Sequence, residues 1–307
     1  PRYRVTVEDH FWRWLYLPLL VATMLALGGT YTVLDSWQGA RSRSYFGIYT
    51  LRDYPAQHLR TLAHGTTLHG QQYTDARRDL PGTYYGPSSG VGIVLAHAPR
   101  LAGPAARIGV VGLGAGTLAC FAKPGQHWRF FEIDPAVLAF STSRRFTYLA
   151  DCAPGAQVVL GDARLELAKV PPGSLDLLVI DAFTSDAIPL HLLTREAFGV
   201  YFRTLAPEGL LLVHISNRHV DLAPVLGAIA RSQGLAAALR RDNPEDRETF
   251  TPSSWVLFAR SPAALDKVRS LAPQAAWEPL PITSTHPWTD DHASVLPHVR
   301  WSSLVSR

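Results

Sequence analysis

The stretch Ile108-Gly-Val-Val-Gly-Leu-Gly-Ala-Gly-Thr-Leu118 decides the fold, because it joins an apolar strand directly to a turn that is rich in glycine. A second strand follows and ends in Phe130-Phe-Glu-Ile-Asp134, which places Glu132 20 residues after Gly112. In such an arrangement the backbone approaches a nucleoside closely at the glycines, and a carboxylate binds the ribose hydroxyls. The stretch therefore predicts an α/β domain with a nucleoside site. The alternative interpretation is a tight structural turn.

Two later strands support the nucleoside site. Val158-Val-Leu160 precedes Gly161-Asp-Ala163, and Leu175-Asp-Leu-Leu-Val-Ile180 places Asp181 at its carboxyl end. Ligands of open α/β sheets lie at the carboxyl ends of the strands. The turn has the form G-x-G-x-G and lacks the third glycine of G-x-G-x-x-G. This form favours a ligand of the S-adenosylmethionine type, with NAD as the alternative.

The composition excludes several classes of protein. The chain has 307 residues, of which 47% are hydrophobic, so it can bury a large core. The net charge is +4 with scattered basic residues, and no RNA or DNA module is found, so we expect no nucleic-acid partner. Cys120 and Cys152 are far apart in sequence and match no metal spacing. We therefore expect no metal site and no disulfide framework, as in a reducing compartment.

The N-terminal region differs from ordinary globular sequence. Residues 14–34 form an uncharged run of 21 residues, long enough to cross a hydrocarbon core of about 30 Å, and aromatic residues lie near both ends. We predict a transmembrane segment in residues 1–40. It would place the protein in the inner (cytoplasmic) membrane, with the catalytic part facing the cytoplasm. The alternatives are a buried core helix, a signal peptide and an amphipathic surface helix.

The remaining chain divides into two parts. Residues 41–104 hold strand-like runs at 45–51 and 59–63 and a loop over 64–92, which predicts a small antiparallel β unit. Residues 105–307 alternate strands and helices, which predicts a mostly parallel, Rossmann-like sheet similar to that of class I S-adenosylmethionine-dependent methyltransferases, with a Pro-rich irregular tail. Helices are expected near 116–122, 135–147, 194–205 and 222–233.

These motifs together resemble one family. The glycine turn 112–116, the acidic strand end 132–134, Gly161-Asp-Ala163 and Asp181-Ala-Phe-Thr-Ser-Asp186 look like the polyamine aminopropyltransferases, the spermidine synthases, over roughly residues 44–260. Three further motifs resemble the bacterial branch in which such a domain is fused to membrane segments: His64-Gly-Thr-Thr-Leu-His-Gly70, Tyr84-Tyr-Gly-Pro87 and Trp288-Thr-Asp-Asp291.

The resemblance implies a binding role for each nucleoside motif. Glu132 would hold the ribose hydroxyls, and Asp162 with the backbone of Ala163 would meet the adenine ring. Gly112 and Gly114 would let the backbone pass under the methionine-derived part of the donor. The donor, a co-substrate, would be S-adenosylmethionine or its decarboxylated form, and no metal is implied.

The resemblance also places Asp181 beside an attacking amine. A protonated amine is not a nucleophile, so a carboxylate near the sulfonium can orient the amine and accept its proton. His64, Tyr85, Asp186 and Asp290 are the candidates for contact with the acceptor substrate. Each has a structural alternative as a core aromatic, a turn cap or a surface residue. His214 and His219 are interpreted as structural.

Three polar positions depart from the family's pattern. Ala115 stands where spermidine synthases carry an aspartate in the glycine loop. Tyr85-Gly86 replaces a Tyr-Gln pair, and His64-Gly65 replaces an Asp-Gly turn. A site for buried amines keeps acidic partners because an unpaired buried charge is costly. These departures argue against a polyamine substrate.

Two hypotheses about function follow. The first is a transferase that moves an aminopropyl-type or methyl group from a sulfonium nucleoside to an amine or membrane-associated acceptor. The second is a non-catalytic nucleoside-sensing domain that regulates a membrane protein. The presence of Asp181 beside a complete nucleoside site favours the transferase. A homo-oligomer is compatible with either.

Overall fold

The computed structural model describes residues 7–26, 30–37, 40–65, 67–182, 189–283 and 285–302. The strands are β1 (Arg41–Ser44), β2 (Gly47–Tyr54), β3 (Leu59–His64), β4 (Thr67–Tyr73), β5 (Arg107–Val111), β6 (His127–Glu132), β7 (Gln157–Leu160), β8 (Leu175–Ile180), β9 (Leu205–His214), β10 (Ala236–Asp242), β11 (Ser253–Ala259) and β12 (Glu278–Pro279). The helices are α1 (Val7–Met24), α2 (Thr30–Trp37), α3 (Gly90–Ala96), α4 (Ala98–Ala102), α5 (Pro135–Thr142), α6 (Tyr148–Cys152), α7 (Ala163–Lys169), α8 (Arg195–Thr204), α9 (Ala223–Gln233) and α10 (Pro262–Leu271).

The larger sheet has eight strands in the order β12-β10-β11-β9-β8-β5-β6-β7. The five strands from β9 to β7 in this order are parallel, and β11, β10 and β12 join them antiparallel. The chain passes from β5 to β6 and β7 on one side, and then returns to β8 and β9 on the other side. This change of direction opens a crevice at the carboxyl ends of β5 and β8, where open α/β sheets bind ligands.

Apolar side chains cover both faces of this sheet. In β8, Leu177 and Val179 belong to one buried cluster, while Leu178 and Ile180 belong to the cluster on the opposite face. Successive side chains of a strand point to opposite faces, so a strand buried on both sides needs a continuous apolar run. That is why the runs in β5 and β8 are readable from the sequence.

The smaller sheet is an antiparallel meander of β1, β2, β3 and β4, which confirms the predicted β unit. The loop predicted for 64–92 is wrong in part, because β4 and the start of α3 lie there. The sequence did not predict β4 because the strand is largely polar. A Cβ atom on Gly70 of β4 would lie 2.6 Å from the Cβ of Ala115, so this sheet packs directly on the glycine turn.

Three expectations about helices need correction. Residues 117–121 form a 3-10 helix instead of an α-helix, and the helix expected over 135–147 ends at Thr142 as α5, with α6 beginning only at Tyr148. Between them Arg144 has a φ of 58°, a left-handed conformation that a helix cannot contain. The tail expected to be irregular contains α10, which Ser261 caps by accepting a hydrogen bond from the amide of Ala264.

The two cysteines also contradict the sequence-based expectation. Cys120 and Cys152 form a disulfide, with their Cα atoms 4.7 Å apart. They are separated by 32 residues in sequence, and the packing of α6 against the 3-10 helix at 117–121 brings them together. The pair joins the element after the glycine turn to the element after α5.

The N-terminal segment contradicts the predicted transmembrane segment and the inner-membrane location inferred from it. Among the residues that the structure describes, no helix is both long and apolar enough to cross a bilayer. The uncharged run falls on two helices: α1 has 18 residues, including Glu8, Asp9 and Arg13 in its sequence, and α2 has 8. A membrane span needs about 20 consecutive apolar residues in one helix.

Candidate active site

The glycine turn brings the ends of β5 and β8 into direct contact. Gly112 has a φ of 93°, and a Cβ atom there would lie 2.4 Å from the carbonyl oxygen of Asp181. The amide of Asp181 donates a hydrogen bond to the carbonyl of Val111 at 2.9 Å. Only glycine has both this conformation and this small size. The turn therefore requires Gly112 so that Asp181 can reach the cavity.

A cavity at this edge of the sheet brings together most of the residues that the sequence singled out. It is lined by Gly112, Gly114, Glu132, Asp162, Ala163, Asp181, His64 and Tyr85. These residues come from β3, β6, the loops that follow β4, β5, β7 and β8, and the start of α7. The carboxyl-end rule for parallel strands is the physical reason that most of them meet.

Glu132 is buried and rigidly held. Its Oε2 accepts a hydrogen bond from the amide of Leu113 at 2.9 Å, and its Oε1 accepts one from the amide of Asp134 at 2.8 Å. Burial raises the pKa of Glu132, and the two backbone donors oppose that shift. Each carboxylate oxygen has a second lone pair. The carboxyl group is thus fixed in place with acceptor capacity for two hydroxyls, as the predicted ribose contact needs.

Asp162 has a structural role as well as a place in the cavity. Its Oδ1 accepts a hydrogen bond from the amide of Leu165 at 3.0 Å and so caps the N-terminus of α7. Its Oδ2 lies 2.9 Å from Nε2 of His191, which also lines the cavity. His191 was not predicted from the sequence, although it lies five residues after the motif that ends at Asp186. The predicted adenine contact of Asp162 stays a prediction.

Asp181 is held by two side chains from other parts of the fold. The hydroxyl of Tyr85 donates a hydrogen bond to Oδ2 at 2.5 Å, and Nδ1 of His214 lies 2.7 Å from Oδ1. Burial and the neighbouring carboxylate raise the pKa of Tyr85, so its phenol stays protonated and donates. The site therefore contains an oriented carboxyl group next to the glycine turn.

Comparisons with known proteins point to one family. No family model matches the chain. A polyamine aminopropyltransferase of Vibrio vulnificus (strain CMCP6) is 32% identical over 113 residues, a match that covers 35% of this chain and 37% of the relative. The match thus spans a little over a third of the length of that curated relative.

Solved structures agree on the fold. A probable spermidine synthase from Corynebacterium glutamicum ATCC 13032 has a TM-score of 0.61 at 16% identity, and the alignment covers 83% of this chain and 97% of that one. The spermidine synthase from Thermotoga maritima has a TM-score of 0.55 at 16% identity, over 74% of each chain. A spermidine synthase in complex with the transition state analogue AdoDATO has a TM-score of 0.53 at 15% identity, over 74% of each chain.

Together the comparisons show that the chain has the fold of the spermidine synthases and is similar in sequence to a polyamine aminopropyltransferase over 35% of its length. At these identities the solved structures establish the fold of a spermidine synthase-like protein, with its antiparallel β unit and Rossmann-like sheet.

Two candidates for acceptor contact have other outcomes in this spermidine synthase-like fold. Asp290 forms an ion pair with Arg164 at 2.5 Å and accepts a hydrogen bond from the hydroxyl of Thr194 at 2.8 Å. The hydrogen bonds from Arg164 lower the pKa of Asp290 to about 2. Asp290 thus joins the chain's C-terminal part to α7 and α8. Asp186 lies outside the described residues.

His64 lines the cavity, and much of its ring contacts protein, so its contact with the acceptor stays a prediction. Its Nε2 lies 3.1 Å from the carbonyl of Phe46, and its ring centroid is 4.7 Å from that of Tyr49 and 5.1 Å from that of His69. Tyr84, left open in the sequence as a core or lid residue, also lines the cavity. Aromatic side chains therefore line the side of the cavity that faces the smaller sheet.

His214 is a residue whose contact with Asp181 the sequence analysis did not anticipate. The sequence favoured a structural role, whereas the structure places its ring against the Asp181 carboxylate. One signal was present: His214 is the last residue of β9, and β9 is the neighbour of β8. Its position at a strand's carboxyl end marks it as a candidate by the same rule that identified Asp181.

Proposed function

We propose that the protein transfers an aminopropyl-type group from a sulfonium nucleoside to a small amine and releases methylthioadenosine. The observation that carries this proposal is the buried carboxyl group of Asp181, held by Tyr85 and His214 in the same cavity as Gly112 and Glu132. Burying a carboxylate is costly, so a buried and hydrogen-bonded carboxylate beside a ligand cavity supports a cationic reactant.

The proposed chemistry assigns each end of the cavity a task. Glu132 and Asp162 would hold the nucleoside, with decarboxylated S-adenosylmethionine or S-adenosylmethionine as the donor. Asp181 would bind the acceptor amine and accept its proton. The amine nitrogen attacks the carbon next to the sulfonium, the new C–N bond forms, and the C–S bond breaks with its electron pair passing to sulfur. Because the product is a neutral thioether, no acid has to protonate it.

This site can contribute to the reaction by fixing the position of the acceptor amine. Asp181 has its two hydrogen-bond donors on one oxygen each, which leaves lone pairs of the carboxylate for the ammonium group of the acceptor. Holding two reactants in line accounts for a large share of the rate enhancement in bimolecular transfers. The replacements at Ala115 and Gly86 support an acceptor other than a polyamine.

Product analysis tests the proposal. The protein is incubated with S-adenosylmethionine or its decarboxylated form, and with a panel of amines. Methylthioadenosine together with an alkylated amine supports the proposal. S-adenosylhomocysteine would instead show methyl transfer, and methylthioadenosine without a new amine product would show intramolecular breakdown of the donor. Tight binding of both donors without turnover would support the sensing domain.

A further inference from the structure

A chain of hydrogen bonds lies behind the Asp181 carboxylate. Nδ1 of His214 is 2.7 Å from Oδ1 of Asp181, and Nε2 of the same ring is 2.7 Å from Oγ of Ser216. The side chains of Asp181 and His214 are 5% and 3% exposed. The amide of Ser254 donates a hydrogen bond to Oγ of Ser216 at 2.8 Å. Three elements therefore meet at one buried histidine.

The chemistry of the partners sets the direction of these bonds. An ionised carboxylate only accepts, so Nδ1 of His214 carries the proton that bonds to Asp181. In the neutral ring Nε2 is then an acceptor, and the hydroxyl of Ser216 supplies its hydrogen. Each group donates to the next, from the amide of Ser254 through Ser216 and His214 to Asp181. Bonds aligned in this way polarise and strengthen one another.

Aromatic contacts fix the plane of the imidazole. The ring of His214 stacks on Trp255, with centroids 4.3 Å apart and an interplanar angle of 13°, and on Tyr84 at 4.6 Å and 30°. The ring therefore has neither the freedom to turn nor access to bulk water on its faces. A donor held this firmly determines the orientation of the carboxylate that it contacts.

We propose that His214 is the positioning residue of the reaction centre, which holds the Asp181 carboxylate in the orientation that the acceptor amine needs, with Ser216 setting the tautomer of His214. This inference rests on the proposed transferase function. His214 touches neither reactant in this scheme. His214 donates a hydrogen bond to Oδ1 of Asp181, and Tyr85 donates one to Oδ2. The remaining lone pairs of the carboxylate are then available to the amine.

Two substitutions separate positioning from packing. His214→Phe keeps an aromatic ring between Tyr84 and Trp255 but removes the donor. We expect turnover to fall about 10-fold or more, the range seen when a partner that orients a functional group is removed, with unchanged affinity for methylthioadenosine. His214→Asn places an amide N–H near the position of Nδ1, and we expect it to recover most of the lost turnover. A purely structural role predicts the reverse order, because the Phe variant preserves the stacking.

Matched variants complete the kinetic test. His219→Asn changes a nearby histidine outside the Asp181 contact, and its turnover should equal that of the wild type. Ser216→Ala should lower turnover less than His214→Phe, because only the tautomer preference is lost. A His214→Phe variant with turnover within twofold of the wild type, in a wild-type protein that does catalyse transfer, overturns the inference and leaves the transferase function standing.

A second measurement does not depend on turnover. In ¹⁵N spectra of the imidazole groups, His214 should carry its proton on Nδ1, and Ser216→Ala should shift it towards the other tautomer. Absence of transfer with every donor and amine, together with this spectrum, refutes the proposed function but supports the arrangement of Asp181 and His214. A wild-type ring protonated on Nε2 alone overturns the inference in either case.

Discussion

The two ends of the cavity hold their carboxylates in different ways. At the proposed nucleoside end, Glu132 and Asp162 accept hydrogen bonds from backbone amides at Leu113, Asp134 and Leu165. At the proposed reaction end, Asp181 accepts hydrogen bonds from the side chains of Tyr85 and His214, which are 96 and 33 residues away in sequence.

The difference shows which parts of such a site tolerate sequence change. A backbone amide is present whatever side chain a residue carries, so the nucleoside end depends mainly on where the chain turns. The reaction end depends on the identity of side chains that arrive from separate elements. We therefore expect substitutions at the nucleoside end to change affinity, and those at the reaction end to change turnover at unchanged affinity.

The largest effect is expected at Gly112, because this residue belongs to both ends of the cavity. Gly112→Ala adds a Cβ atom 2.4 Å from the carbonyl oxygen of Asp181, in a left-handed conformation. We expect a loss of roughly 3 kcal/mol or more in the free energy of unfolding, because strain and overpacking add. Urea unfolding measures it.

Gly173→Ala is the control for backbone strain alone. Gly173 also has a positive φ, 67°, but nothing lies within 4 Å of an added Cβ atom. This variant should lose only about 1–2 kcal/mol. Equal losses in the two variants would show that the contact between the turn and Asp181 is unimportant.

Asp181→Asn should have the next largest effect and sharpen the comparison most directly. It keeps the shape of the side chain and removes the charge, so turnover should fall about 10²-fold or more while the affinity for methylthioadenosine stays within about twofold. Steady-state kinetics and calorimetry test the two halves of the statement.

Asp176→Asn is the matched control on the same strand. Asp176 lies at the amino end of β8, where it pairs with Arg107 at 2.7 Å. Turnover of this variant should equal that of the wild type. Near-normal turnover in Asp181→Asn itself would remove Asp181 from the mechanism.

Glu132→Ala should mainly lower the affinity for methylthioadenosine, which is the opposite of the pattern expected for Asp181→Asn. Loss of a charge-assisted hydrogen-bond pair is worth about 1.5–3 kcal/mol, so methylthioadenosine should bind at least about tenfold more weakly. Glu278→Ala, at an exposed ion pair with Arg241, serves as the control and should leave affinity unchanged. Calorimetry that finds the same affinity in Glu132→Ala and the wild type would refute the ribose assignment.

The smallest effect is expected for Asp290→Asn. Asp290 is paired with Arg164, so turnover should change less than about threefold, as expected for a contact at a partly exposed ion pair. The pKa of Asp290, lowered to about 2, lies below that of an unfolded aspartate, about 3.9. Its stabilising contribution is therefore present above pH 3.9 or so and is lost as the pH falls through about 2.

Thermal melts at several pH values test this sign. The wild type should melt slightly above Asp290→Asn at neutral pH, and the two curves should converge in acid. The difference should be small, because the pair is partly exposed to solvent. A tenfold fall in turnover would instead place Asp290 in contact with the acceptor.

The sequence alone determined the parts of this protein that depend on local pattern. Continuous apolar runs predicted the buried parallel strands, and the glycine turn with its following acidic residues predicted the nucleoside end of the cavity. These features are legible because a strand's burial and a turn's geometry are set by residues within a few positions of one another.

Only the tertiary structure decided which distant side chains meet. It placed His214 and Tyr85 on Asp181, joined Cys120 to Cys152, and paired Asp290 with Arg164. Such contacts depend on how elements far apart in sequence pack, and the energies of many other contacts set that packing. The sequence around a histidine at a strand end does not show which carboxylate the histidine will contact in the fold.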